Sequence, residues 1–166
     1  MKTAVFTRAI GAGGFLISAG LLVAAAPDFS GEWRLVLPRS RAKDKLAQQW
    51  MPREVDKVIE QNGHTLTIKT HEINSRGEFS ATLHYRLDGA EAQSDTADVK
   101  TRATTRWSGN SLIIETAGSF QGSPIRVYDR WELSKNRRLL TVHRHFEGPP
   151  GRSDQDLVFE RVNEKK

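Results

Sequence analysis

Phe79-Ser80-Ala81-Thr82-Leu83-His84-Tyr85-Arg86-Leu87, followed by Asp88-Gly89, decides the fold class. Apolar or small residues hold every odd position of this run and polar ones every even position. A period of two sends the two sets to opposite faces of a β-strand, one toward a core and one toward water. Asp-Gly then supplies the backbone freedom of a tight hairpin turn. Outward from this run the same period recurs. Trp33, Leu35 and Leu37 share a face, as do Leu66, Ile68 and Thr70. Thr101, Ala103, Thr105 and Trp107 alternate with Lys100, Arg102, Thr104 and Arg106. Leu112 and Ile114, then Val127, Trp131 and Leu133, then Leu140, Val142 and Phe146, then Leu157 and Phe159 continue the theme. With a short strand at 90–93, the chain reads as all-β, with about ten antiparallel strands.

The connections order those strands. Asn62-Gly63, Asp88-Gly89, Ser108-Gly109-Asn110 and Ser134-Lys135-Asn136-Arg137 are tight turns. The segments 38–53, 94–98, 118–124 and 147–153 read as longer, with 73–77 intermediate. The two kinds alternate, so every tight turn falls at one end of a meander and every longer loop at the other. That arrangement predicts an up-and-down antiparallel β-barrel with a sealed floor and a loop-rich mouth. One segment breaks the strand period. Ser40 to Trp50 offers a capping serine, good helix formers, and Ala42, Leu46 and Trp50 four apart. It predicts a short amphipathic helix between the first two strands. Leu46 and Trp50 would then either plug the core or close the mouth as a lid.

The beginning of the chain has a different character. Lys2 and Arg8 precede a charge-free apolar run, and Val23-Ala24-Ala25 places small residues where a signal peptidase cuts. The run is short for a membrane span, which needs about 20 residues. The expectation is a signal peptide over 1–25 and a mature domain over 26–166, periplasmic or secreted, without the cysteine a lipid anchor requires. About 140 residues suffice for one core, and with no cysteine in the chain that core must hold without disulfides. Removing the leader lowers the formal net charge from +5 to +3. So mild a surplus on an exported protein is no nucleic-acid footprint. A weak attraction to an anionic membrane surface is compatible with it, and so is a plain solvated basic surface.

Phe29-Ser30-Gly31-Glu32-Trp33-Arg34-Leu35 resembles the opening of the calycins, the lipocalins and intracellular fatty-acid-binding proteins. The order strand, helical lid, nine strands is similar to the fatty-acid-binding branch. Asn62 to Thr70 and the ending Val158-Phe159-Glu160-Arg161-Val162 resemble it too. A nearer likeness is to exported bacterial proteins of unknown function with a Phe-Ser-Gly-x-Trp start and an Arg-Trp-x-Leu-Ser segment, here residues 130–134. The resemblance implies a ten-stranded barrel able to bind a lipophilic molecule. It also implies a departure: where fatty-acid-binding proteins carry an Arg-x-Tyr carboxylate anchor, this chain has Leu157 and Phe159.

Among candidate chemical groups, His143-x-His145 has metal-like spacing but no evident third ligand. By parity with Leu140, Val142 and Phe146 both rings face outward. No nucleophile elbow or Ser/His/Asp order is present, and no cofactor or metal is implied. Arg102, Arg106, Arg126 and Arg130 form outer basic rows, and Trp33 and Trp131 read as core. Two charges fall on the inner register instead. Asp129 shares the parity of Val127 and Trp131, and Arg144 that of Val142 and Phe146. Pairing Leu133 with Leu140 sets Asp129 opposite Arg144. They form a structural ion pair, or Arg144 anchors a polar head group that Asp129 orients, beside an apolar wall of Phe79, Leu83, Leu157 and Phe159. The function expected is a non-enzymatic carrier of a small lipophilic ligand. The alternative is an envelope structural or protein-interaction module whose barrel is filled by its own side chains.

Overall fold

The computed structural model describes residues 26–95 and 99–162; the signal peptide expected over 1–25 lies outside them. The elements are β1 (Gly31–Leu35), β2 (Arg41–Ala42), α1 (Lys45–Trp50), β3 (Glu54–Asn62), β4 (Thr65–Asn74), β5 (Gly77–Arg86), β6 (Ala92–Asp95), β7 (Val99–Ser108), β8 (Ser111–Phe120), β9 (Ser123–Leu133), β10 (Leu139–Gly148) and β11 (Gly151–Arg161). They form one antiparallel sheet in the order β5-β4-β3-β1-β11-β10-β9-β8-β7-β6, with the two-residue β2 added beside β11. The result is a nearly closed up-and-down barrel. Eight of its ten main strands are those the alternation predicts; β3 is the strand that runs into the Asn62-Gly63 turn, and the short strand expected at 90–93 stands at Ala92–Asp95. Its seam lies between β5 and β6, where side chains do the joining: Ser94 Oγ accepts from the His84 N–H at 3.0 Å, and the Thr105 hydroxyl donates to the Arg86 carbonyl.

The pairing of first and last strands explains the Gly-x-Trp opening. Trp33 stands opposite Arg161, whose guanidinium lies 4.3 Å from the indole centroid and donates to the Ser30 carbonyl. A side chain at Gly31, whose φ is +132°, would strike that guanidinium. The Trp33 indole N–H donates to the Phe29 carbonyl at 2.9 Å, so the opening stretch is a latch that closes the floor. Cation–π contacts contribute about 0.5–2 kcal/mol according to how dry they are. Arg161→Ala is therefore expected to lower the melting temperature clearly, whereas Arg106→Ala, on the wet outer face opposite Glu115, should barely move it. Equal losses in a thermal melt would count against the latch.

The core fills the floor half of the barrel. Phe29, Trp33, Leu66, Leu112, Leu140 and Phe159 are wholly buried there. Phe29 stacks on Trp107 at 6.1 Å and meets Trp131 edge-on at 5.6 Å. Trp33 and Trp131 are core residues, as their parity predicts.

Two expectations need correction. The mouth is not loop-rich. The hairpins Asn74–Gly77, Phe120–Ser123 and Gly148–Gly151 each turn on two residues, and the strands run on through segments read as loops. The glycines and prolines of these segments, Gly118, Gly122, Pro124 and Gly148-Pro149-Pro150-Gly151, sit in strands and two-residue turns instead. Gly118 is a strand residue that lets β7 approach: a side chain there would meet the Lys100 carbonyl and, at 2.7 Å, Thr101 Cα. Of the segment 94–98, Ser94 and Asp95 belong to β6 and the remainder lies outside the described residues. Among the described connections only 36–53 is long. Within it the helix begins at Lys45 rather than near Ser40. Ser40 instead turns its hydroxyl to the strand edge, accepting from the Val158 N–H at 3.0 Å. Asp44 is the cap, with one oxygen on the Ala47 N–H and the other on the Asp154 N–H, both at 2.7 Å. These bonds to backbone N–H groups hold the Asp44 carboxyl below its usual range. Ala42 lies in β2, so it drops out of the helical stripe.

Candidate binding chamber

Toward α1 the barrel interior changes composition. The hairpin of β9 and β10 sets Asp129 opposite Arg144, as the register predicts. Arg144 Nε donates to Asp129 Oδ1 at 2.8 Å and Nη2 to Oδ2 at 2.7 Å, a bidentate pair. The Asp129 side chain is 9% exposed and that of Arg144 29%. Burial works against the guanidinium's charge, but the Asp129 carboxylate outweighs it and raises the Arg144 pKa. Tyr85, buried on β5, has its phenol pushed above its usual range by burial and by Asp129.

A second cation shares this interior and was not anticipated. Lys57 lies on β3 between the inward Val55 and Ile59 and is 9% exposed. Its amine donates to the Thr70 hydroxyl at 3.0 Å and stands 5.6 Å from the centre of the Phe159 ring. That hydroxyl is its only hydrogen-bond partner among the described residues. Desolvation, reinforced by Arg144, lowers its pKa to about 8. Glu72, on the same face of β4 as Thr70, adds a negative charge at the rim and accepts from the Asn74 side chain at 2.8 Å. The signal for Lys57 was its parity: Val55-x-Lys57-x-Ile59 puts the lysine on the inner face.

The predicted wall divides in two. Leu157 and Phe159 are buried in the core, Phe159 directly beneath the lysine amine. Leu83 packs against that core while part of it stays open, and Phe79, half-buried, meets Phe120 edge-on at 5.0 Å. Of the two helix residues, Trp50 contacts Phe146 at 5.3 Å with Arg76 over its other side, and Leu46 lies against the β10–β11 turn. Ala47, wholly buried, is the helix's deepest residue, and its carbonyl accepts from Gln155 at 3.2 Å. The interior toward α1 thus has a charged and hydroxylic side, an apolar side, and a helix at one end.

The outer faces are different. His143 and His145 both face outward and engage carboxylates of the neighbouring strand β11, Asp156 at 2.7 Å and Asp154 at 2.9 Å. The bond to Asp154 raises the His145 pKa. A hollow of about 620 Å³ lies across β7 to β10, lined in part by Arg102, Glu115, Arg126 and Tyr128. Another of about 420 Å³ lies across β3 to β5, around Val58 and Lys69.

No family model matches this sequence, and no curated protein does. Solved structures do. Zebrafish ileal bile acid-binding protein complexed with cholic acid superposes with a TM-score of 0.56 at 17% identity, over 81% of this chain and 98% of that one. A REP1-NXSQ fatty acid transporter gives 0.53 at 18% identity, over 82% and 98%. Human cRBP IV gives 0.52 at 20% identity, over 82% and 99%. At such identities the likeness is one of fold alone, a nearly closed up-and-down antiparallel β-barrel with a short helix.

Proposed function

We propose that this chain is an exported, non-enzymatic binding protein for a small lipophilic or amphiphilic molecule, held in the helix-side half of the barrel. The observation that carries the reading is the pairing of charges inside. Arg144 has its carboxylate, Asp129, but Lys57 has only a hydroxyl, so a buried cation is left without a bonded counter-charge. A ligand with a polar or anionic head would complete that set while its tail lay against Phe79, Leu83 and Phe146. The similar barrels support the reading through what their names say they bind, a bile acid and a fatty acid. Export is supported by the leader's charge and apolar run, and intact-mass measurement on protein recovered from the cell envelope should give an N-terminus at Ala26. A product retaining residues 1–25 in the membrane would refute it.

The binding test is displacement of an environment-sensitive fluorescent amphiphile. Wild type should bind it, and Asp129→Leu/Arg144→Leu should fold yet bind at least about tenfold more weakly, the loss of one charge-assisted contact. Unchanged affinity would leave the pair a structural one. The interaction-module alternative draws on the outer hollow, where Tyr128 is 38% exposed. Absence of binding by wild type would favour it.

A further inference from the structure

We propose that Lys57 captures lipophilic aldehydes entering the barrel by forming a reversible imine through its side-chain amine. This deepens the carrier reading and rests on it. The geometry is that of a held amine, bonded to a hydroxyl and to no carboxylate, beside partly exposed small and apolar residues. In the row that crosses the barrel wall, Trp33 pairs with Lys57, Lys57 with Thr70 and Thr70 with Ala81. The amine is thus bounded on one side by small side chains, and Thr70, Ala81 and Leu83 are only partly buried. Below it the Phe159 ring excludes water. Both oxygens of Asp129 are engaged by Arg144, and Glu72 accepts from Asn74, so no carboxylate is bonded to the amine.

Such an amine differs from the lysines outside. Lys43, Lys69 and Lys100 lie in water beside Asp156, Glu60 and Asp95. The charged and titratable groups facing the interior around Lys57 are Arg144 on β10, Asp129 on β9, Glu72 on β4 and Tyr85 on β5. Burial first, and then Arg144, disfavour its ammonium form, bringing its pKa to about 8. At neutral pH that leaves roughly a tenth of it as free amine, against well under a thousandth for an ordinary lysine. A desolvated lysine next to another cation is the usual way an amine is made nucleophilic.

The step balances without a further reagent. The ammonium first gives its proton to solvent. The nitrogen lone pair then attacks the carbonyl carbon as the carbon–oxygen π pair moves onto oxygen, which is protonated to a carbinolamine. Loss of one water forms the carbon–nitrogen double bond, and hydrolysis returns the aldehyde. Arg144 Nη1, which Asp129 leaves free, is a donor on the same interior face for the developing oxyanion.

The experiment treats the full mature chain with decanal and cyanoborohydride near neutral pH, then maps the alkylated lysines by peptide mass spectrometry. Decanol, which has no carbonyl, is tested in parallel for displacement of the fluorescent amphiphile. The proposal expects Lys57 to be labelled about tenfold or more faster than Lys69 and Lys100, decanol to slow that labelling, and Lys57→Arg to abolish it. Labelling confined to the outer lysines overturns the imine. If decanol nonetheless displaces the amphiphile, the carrier reading stands and only the covalent step falls. If neither compound enters, both fall together. The site map on wild type keeps the test independent of whether Lys57→Arg folds.

Discussion

Asp129→Leu alone should destabilise the protein by about 3–5 kcal/mol, the cost of leaving a buried charge without its partner. Both carboxylate oxygens are taken by Arg144, and the Asp129 side chain is nearly inaccessible. Without it, Arg144 and Lys57 remain as two cations in one interior, with only Glu72 at the rim to offset them. Arg144→Leu should cost less, because Lys57 can then turn its charge toward Asp129. Relief of the repulsion from Arg144 should also raise the pKa of Lys57 from about 8. The double replacement should recover most of the loss, since an apolar pair of similar volume dispenses with both desolvation penalties. Urea unfolding of the four proteins measures this. Additive losses would show that the two residues do not compensate each other, and an equal cost for the two single changes would remove Lys57 from the account.

That pair was legible in the sequence because a hairpin fixes register. Once the turn at 134–137 is recognised, each of residues 126–133 of β9 has one partner on β10, and a slip by one would turn all the apolar residues outward. The floor latch was legible for a similar reason, as the first and last strands of an even meander must meet antiparallel. Lys57 is less legible because Val58 and Ile59 put adjacent apolar residues on opposite faces of β3, so its alternation alone does not say which face is the inner one. The helix start was displaced because Ser40 and Asp44 are both good caps in sequence. What separates them is the edge of β11, a partner more than a hundred residues away that claims the Ser40 hydroxyl. The supposed loops were strand ends because Gly118 and Gly122 serve tertiary approach and a tight turn, which composition alone does not distinguish from a long connection.

The second large effect should come from a residue outside every strand. Phe29 precedes β1 and is held through its own backbone: its N–H donates to the Gln61 side chain at 3.0 Å, and Gln61 in turn donates to the Pro27 carbonyl at 3.1 Å. Its ring is wholly buried between Trp107 and Trp131. Two rigid indoles cannot collapse into the space a phenyl leaves, so Phe29→Ala should cost about 3–5 kcal/mol, the range for a large buried side chain whose cavity persists. Leu37→Ala, at a position 43% exposed, should change stability by no more than about 0.5 kcal/mol. Guanidinium unfolding followed by tryptophan emission reports both, because the lost ring contacts two of the emitters directly. The same variant separates the two halves of the barrel. Among the described residues Asp129 and Arg144 bond to each other and Lys57 to Thr70, not to Phe29, so under conditions where Phe29→Ala remains folded its affinity for an amphiphile should stay within about twofold of wild type, well below one tenfold step of binding energy. A loss of binding as large as that of Asp129→Leu/Arg144→Leu would mean that the ligand reaches the floor, where the buried indole N–H of Trp131, without a partner among the described residues, is a donor for it.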